Sequence, residues 1–280
     1  MPKLALLWAL LVFITSGAAV AHNPPHRVVS INLCADVFLL HLADREQITS
    51  LTFLAARSPL SPVHTQAQGL PSNKGQLEEV LALQPDLVVS HRYGNIPLVK
   101  RLEQLDVPVF ILEAPTDVPA VYREIERFGQ RLGQQEKAQA LLKQYDARLA
   151  ALSTAQAEQP VLAVYGPNGI TSGPGSLLHD ILTRAGFRNL ASQLGIGSVG
   201  TLRMEALISN QPDALLFSDN GSEVNSLARQ KLQHPALQRL AASRPSIRLP
   251  GKLWTCGGPE LLQAAHALRQ LRLQVDKLAP

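Results

Sequence analysis

The sequence predicts an α/β fold arranged as two doubly wound lobes, and three observations carry that prediction. One segment occurs twice, as LEEVLALQPDLVVS at residues 77–90 and MEALISNQPDALLFS at residues 204–218. In both copies a glutamate, Glu78 or Glu205, stands eight residues before the aspartate of a Gln-Pro-Asp triplet, Asp86 or Asp213. Short β-prone runs alternate with helical stretches around each copy, the pattern of a parallel sheet covered on both faces. Between the halves, residues 118–155 carry almost no strand signal and read as helix.

Taken in order, residues 27–31 read as a strand that feeds a helix over 35–43, and residues 48–52 as the next strand. Residues 53–73, rich in Pro and Ser, form a loop of a length that is commonly functional. In the repeated segment Val80, Leu81 and Leu83 give a short helical apolar face, as Leu207 and Ile208 do in the second copy. Pro85 and Pro212 bias the preceding glutamine out of helical geometry, so the helix stops there. Residues 87–89 and 214–217 follow as buried strands. A helix over 96–104 and a strand over 107–112 complete the first half.

In the middle, Val121, Ile125, Phe128 and Leu132 recur at helical spacing, and beyond Gly133 the residues Ala138, Leu141, Leu142, Tyr145, Leu149 and Leu152 share a face. This second stretch, about 22 residues, would span roughly 33 Å, enough to connect two lobes; the alternative is a surface helix on one domain. The α/β pattern then resumes with a strand over 161–165, a helix opened by residues 172–176 and running to 184, the second repeat, and a strand over 247–249. Gly257-Gly258-Pro259 begins a C-terminal helix whose Leu261, Leu262, Ala265, Leu268 and Leu271 face one way. The predicted division is a first lobe over 22–117, a linking helical segment over 118–157 and a second lobe over 158–280.

Lys3 precedes an apolar stretch over 4–14, too short for a membrane span, and Ala19-Val20-Ala21 has the form of a signal peptidase site. Residues 1–21 therefore read as a cleaved secretion signal rather than an anchor, and no cysteine follows to take a lipid. The expected product is soluble and exported, most simply to a Gram-negative periplasm. The formal net charge of +4 is small and scattered, with no run of five basic residues, which argues against a nucleic-acid partner.

No catalytic constellation is expected: GxSxG, HExxH and closely spaced Cys and His pairs are missing from the sequence. Gly195-Ile196-Gly197-Ser198-Val199-Gly200 matches GxGxxG, and Asp219 follows at about the right distance. It lacks a convincing preceding strand, so it is expected to be a flexible loop at the edge of a cleft. Ligands of parallel sheets sit beyond the carboxyl ends of the strands. The residues meeting that description are Asn32, Cys34, Phe53, Arg92, Tyr93, Tyr165, Ser172, Asn220, Trp254 and Cys256, with His91 at a strand end as a structural residue or an axial metal ligand. Cys34 and Cys256 belong to different lobes. Two arrangements stay open: a disulfide across the cleft, or, the favoured reading, two reduced thiols at helix N-termini.

The paired Glu-to-Pro-Asp segments resemble those of the periplasmic substrate-binding proteins of cobalamin, haem and ferric-siderophore ABC importers. Further carriers of the resemblance are RVVSINLCADVFLLHLAD with QITSLT, EKAQALLKQYDARL, and YGPNGITSGPGSLLHDILTRAGFRNLA, the last similar to the cobalamin-binding branch. The resemblance implies a class III binding protein, two lobes on a long rigid backbone helix, closing only slightly on ligand. It also implies that Glu78 and Glu205 dock on arginines of a permease dimer in the inner membrane, through charge-assisted pairs that fix orientation; the alternative is that both serve only the helix dipole. The implied ligand is a metal chelate, a corrinoid first and a ferric siderophore or haem second, held by a monomer with no intrinsic cofactor or protein-ligated metal. A carrier of bare Zn(II) or Mn(II) and a secreted α/β enzyme are the remaining readings.

Overall fold

The computed structural model describes residues 23–152, 159–218 and 227–278; the predicted signal, residues 1–21, lies outside them, as do Asp219 and Asn220. The first lobe runs β1 (Val28–Ser30), α1 (Leu33–Leu42), β2 (Ile48–Thr52), β3 (Ser72–Asn73), α2 (Leu77–Ala82), β4 (Leu87–His91), α3 (Ile96–Glu103) and β5 (Val109–Leu112). All its strands pair in parallel in the order β3-β2-β1-β4-β5. Helix α1 begins two residues earlier than its apolar pattern predicts because the Asn32 side chain caps it, accepting from the Cys34 N–H at 2.8 Å.

After α4 (Val118–Leu132) and α5 (Gln135–Ala150), the second lobe contains β6 (Val161–Tyr165), β7 (Ile170–Thr171), α6 (Leu177–Arg184), β8 (Arg188–Asn189), α7 (Leu190–Gln193), β9 (Gly200–Thr201), α8 (Met204–Ser209) and β10 (Ala214–Ser218). It ends with α9 (Leu227–Gln230), α10 (Pro235–Ser243), β11 (Ser246–Leu249) and α11 (Leu261–Leu278). Its parallel sheet has the order β11-β10-β6-β8, and β7 pairs antiparallel with β9.

The link is a helical hairpin of the two stretches that meet at Gly133, and the second is shorter than the roughly 22 residues its apolar pattern suggests. Gly133 takes a left-handed conformation (φ 72°, ψ 24°) and ends α4, and α5 holds 16 residues before closing at Ala151. Tyr122 of α4 reaches Asp146 of α5 at 2.8 Å and packs edge-on against Tyr145, so the two helices run antiparallel. Phe128 of α4 meets Phe38 of α1 and Phe110 of β5, while the α4 N-terminus donates from Val118 N–H to Asp180 of α6 at 2.8 Å. The largest core cluster is continuous through both lobes, from Val28, Phe38 and Val89 through Phe128 and Tyr145 to Val164, Leu216 and Leu268. The outer faces have separate cores, Val29, Val88 and Leu102 under α2 and α3, and Ala163, Leu207 and Leu237 under α8 and α10. One shared helical layer joins the lobes and the remaining helices cover the other faces.

The repeat recurs at atomic detail. Gln84 and Gln211 both take left-handed backbone conformations, φ 46° and 47°, immediately before their prolines. Asp86 accepts from the N–H groups of His26 and Arg27 at 2.7 and 2.9 Å, and Asp213 accepts from Val161 N–H at 2.7 Å. Each aspartate thereby latches the start of its lobe's central strand, β1 or β6.

Candidate cleft between the lobes

In a lobe of this kind the helices run opposite to the strands, so the carboxyl ends of the strands and the amino ends of the helices share one edge. Asn32, Phe53, Arg92 and Tyr93 follow β1, β2 and β4 on that edge of the first lobe. The amide of Phe53 donates to Asn73 O at the end of β3, and α2 with Glu78 in its first turn starts four residues later. Glu205 occupies the first turn of α8, close enough to Tyr165 at the end of β6 to raise the phenol's pKa, although burial is the larger cause. Both glutamates are exposed.

Large apolar side chains also stand in the open on these edges. Phe53 is 42% exposed, Tyr93 78%, Ile170 52% and Val199 73%. Arg92 pairs with Glu113 at 2.9 Å, with both side chains more than half exposed. His91 is buried; its Nδ1 accepts from Tyr93 N–H at 3.2 Å, and its Nε2 has no hydrogen-bond partner among the described residues. Burial lowers its pKa more than Glu124 and Glu113 raise it, so the ring is held neutral and shapes the turn that presents Tyr93. Tyr165 and Trp254, named from the sequence as strand-end ligand candidates, are largely buried, Tyr165 in the outer core of the second lobe and Trp254 in the shared core. Ser172 offers its carbonyl to Asn189 Nδ2 at 2.8 Å.

The cysteines overturn the favoured reading. Cys34 and Cys256 form a disulfide, with Cα atoms 5.1 Å apart, so neither is a free thiol. The reason is geometric: α1 begins where β1 reaches the lobe boundary, and residues 250–260 cross that boundary on their way to α11. Around the disulfide, Lys252 Nζ donates to Ser58 O at 2.6 Å, His41 Nε2 meets Glu260 Oε1 at 2.8 Å, and Tyr145 OH donates to Gly257 O at 2.9 Å. Sequence reasoning missed all of these, since His41 and Lys252 carry no local pattern that points to a partner some 200 residues away.

The GxGxxG segment is a loop that leads into β9. It is stapled to the β7 strand region: Gly173 N–H donates to Ser198 O and Leu202 N–H to Gly169 O. A Cβ on Gly173 would lie 2.3 Å from Ile196 O and 2.5 Å from Gly197 O, so only glycine permits the approach. Among the described residues no group of three His, Cys, Asp or Glu is placed to hold a metal ion, and no helix is long and apolar enough to cross a membrane.

The family model described as periplasmic binding protein matches residues 28–245. A cobalamin-binding protein of Halobacterium salinarum is 24% identical over 76% of this chain, a match spanning 59% of that relative's length. A vitamin B12-binding protein of Pectobacterium carotovorum is 27% identical over 93% of this chain and 92% of its own. The crystal structure of a periplasmic heme binding protein from Pseudomonas aeruginosa superposes with a TM-score of 0.66 at 26% identity, covering 88% of this chain and 91% of that one. With a parallel sheet in each of two lobes and a family match over most of its length, the chain belongs to the periplasmic binding protein family.

Proposed function

We propose that this protein is the exported, non-enzymatic solute-binding component of an ABC importer, working in the periplasm, and that it captures a metal chelate between its lobes and delivers it to the permease. The observation that carries the reading is that two exposed glutamates, Glu78 and Glu205, open equivalent helices in two lobes that share a core. A cobalamin or related corrinoid is the first choice. The exposed rings of Phe53 and Tyr93 offer apolar contact, and Arg92 and Asn32 offer polar groups to peripheral amides. The names of the relatives from Halobacterium and Pectobacterium support that choice.

Haem is the second reading, favoured by the likeness to the Pseudomonas aeruginosa protein. Calorimetric titration with cyanocobalamin tests the first. A dissociation constant weaker than about 100 μM, about 5.5 kcal/mol of binding free energy, removes corrinoids from first place, and visible bands on adding haem then support the second.

A further inference from the structure

Residues 250–260 leave the last strand of the second lobe and lie against the first. Lys252 holds the carbonyls of Ser58 and Ser61, at 2.6 and 3.4 Å. Cys256 is bonded to Cys34 and packs with Val37 and Val63 in a small buried cluster of its own. Glu260 meets His41. Three of these contacts, those to Ser58, Ser61 and Val63, seize the loop between β2 and β3. Over residues 54–70 that loop is held within itself by turn hydrogen bonds such as Arg57 N–H to Leu54 O and Ala67 N–H to Val63 O. It begins at Phe53, one of the exposed rings on the cleft edge.

We propose that the Cys34–Cys256 disulfide is a positioning clamp for the ligand site: it pins the 250–260 strap to the first lobe, and the strap fixes the 54–70 loop with Phe53 in place before ligand arrives. A loop ordered only on binding subtracts its ordering entropy from the affinity, whereas one ordered beforehand does not. That Phe53 borders a ligand site, and which ligand enters it, rest on the reading given under Proposed function; the pinning of the loop does not.

The test compares native protein, native protein reduced with a dithiol, the Cys34→Ser/Cys256→Ser variant, and Lys252→Ala, which keeps the disulfide and covers the case in which the serine variant fails to fold. Hydrogen exchange without ligand is the first readout. The amides of Arg57, Leu60, Ala67 and Trp254 are expected to exchange at least tenfold faster on reduction, with those of β4 and β10 unchanged, and Lys252→Ala to shift the loop in the same direction by less. Affinity for cyanocobalamin, the second readout, is expected to fall about tenfold. Unchanged loop exchange, or uniform acceleration through the whole chain, overturns the clamp. If the loop responds as expected while cyanocobalamin binds no form, the clamp is supported and it is the corrinoid assignment that fails.

Discussion

Read from opposite edges, the two sheets have the same order: β2-β1-β4-β5 in the first lobe corresponds to β8-β6-β10-β11 in the second. The left-handed glutamines and the latching aspartates coincide as well. Helices α1 and α6 each carry an aspartate four residues after the cap, Asp36 after Asn32 and Asp180 after Ser176. There the lobes part. Asp36 is fully buried and accepts from the N–H and hydroxyl of Thr52 in its own lobe, while Asp180 is half-buried, pairs with Arg184 and accepts from the first amide of α4. The duplication has kept the devices that shape the backbone locally and reassigned the same carboxylate to tertiary work, inside the lobe in one case and between the lobe and the link in the other.

The largest effect expected from this contrast is a pH dependence confined to the first lobe. Burial outweighs the hydrogen bonds from Ser30 and Thr52 and raises the Asp36 pKa from 3.8 to about 6. Between those values the folded chain keeps a proton that the unfolded chain has lost. The Asp36 contribution to stability is thus complete below about pH 4, declines as pH rises toward 6 and is flat above it. The whole displacement corresponds to about 3 kcal/mol. Urea midpoints of native protein and Asp36→Asn, measured from pH 4 to 7.5, should converge at the acid end and separate in favour of the variant at neutral pH. A constant difference across the range would show that the buried carboxylate is not the source.

The latches should rank by their bonds. Asp86 holds two amides and Asp213 one, and a hydrogen bond to a charged group is worth about 1.5–3 kcal/mol at most, less where water competes. Asp86→Ala should cost about 2 kcal/mol and Asp213→Ala about 1 kcal/mol in thermal or urea unfolding. Equal losses would mean that the second amide of the first latch adds nothing.

Docking sets a symmetry against a visible asymmetry. Glu205 has Arg203 at 3.6 Å, and both side chains are about four-fifths exposed; a pair that open contributes little. Glu78→Ala and Glu205→Ala should therefore depress importer-dependent uptake to a similar extent, each about tenfold, equivalent to about 1.4 kcal/mol, with cyanocobalamin affinity unchanged. A loss confined to one lobe would break the equivalence of the two proposed docking points.

The parts of the molecule legible in the sequence are those carried by local pattern. The alternation of strands and helices, the break at Gln-Pro-Asp and the start of α6 after Ser176 are set by residues within a few positions of one another. The two-residue strands β3, β7, β8 and β9 were not legible, because they are too short for a period and exist through their neighbours. The candidate site divides similarly: strand ends place Asn32, Phe53, Arg92 and Tyr93 on one edge of the first sheet, but the burial of Tyr165 and Trp254 and the pairing of Cys34 with Cys256 depend on how the lobes pack. The aspartates of the repeat were visible as a motif, yet their role requires the amides of a strand more than 50 residues away.

The smallest prediction concerns the glutamines. A non-glycine residue in the left-handed region costs about 1–2 kcal/mol relative to its preferred conformation, and Gln84 and Gln211 share that cost at φ 46° and 47°. Glycine relieves it but widens the unfolded ensemble, which takes back about 0.4–1 kcal/mol. Gln84 uses only its backbone in the contacts seen here, its carbonyl accepting from Arg27 Nε at 2.9 Å, whereas the Gln211 side chain accepts from Arg244 at 3.1 Å. Gln84→Gly should accordingly stabilise the chain by about 0.5 kcal/mol, and Gln211→Gly should be close to neutral because the Arg244 contact is lost. Urea midpoints for the two variants decide it. Destabilisation by Gln84→Gly would mean that the left-handed turn before the proline is set by the glutamine side chain itself, and that the two copies keep the residue for its chemistry rather than in spite of its strain.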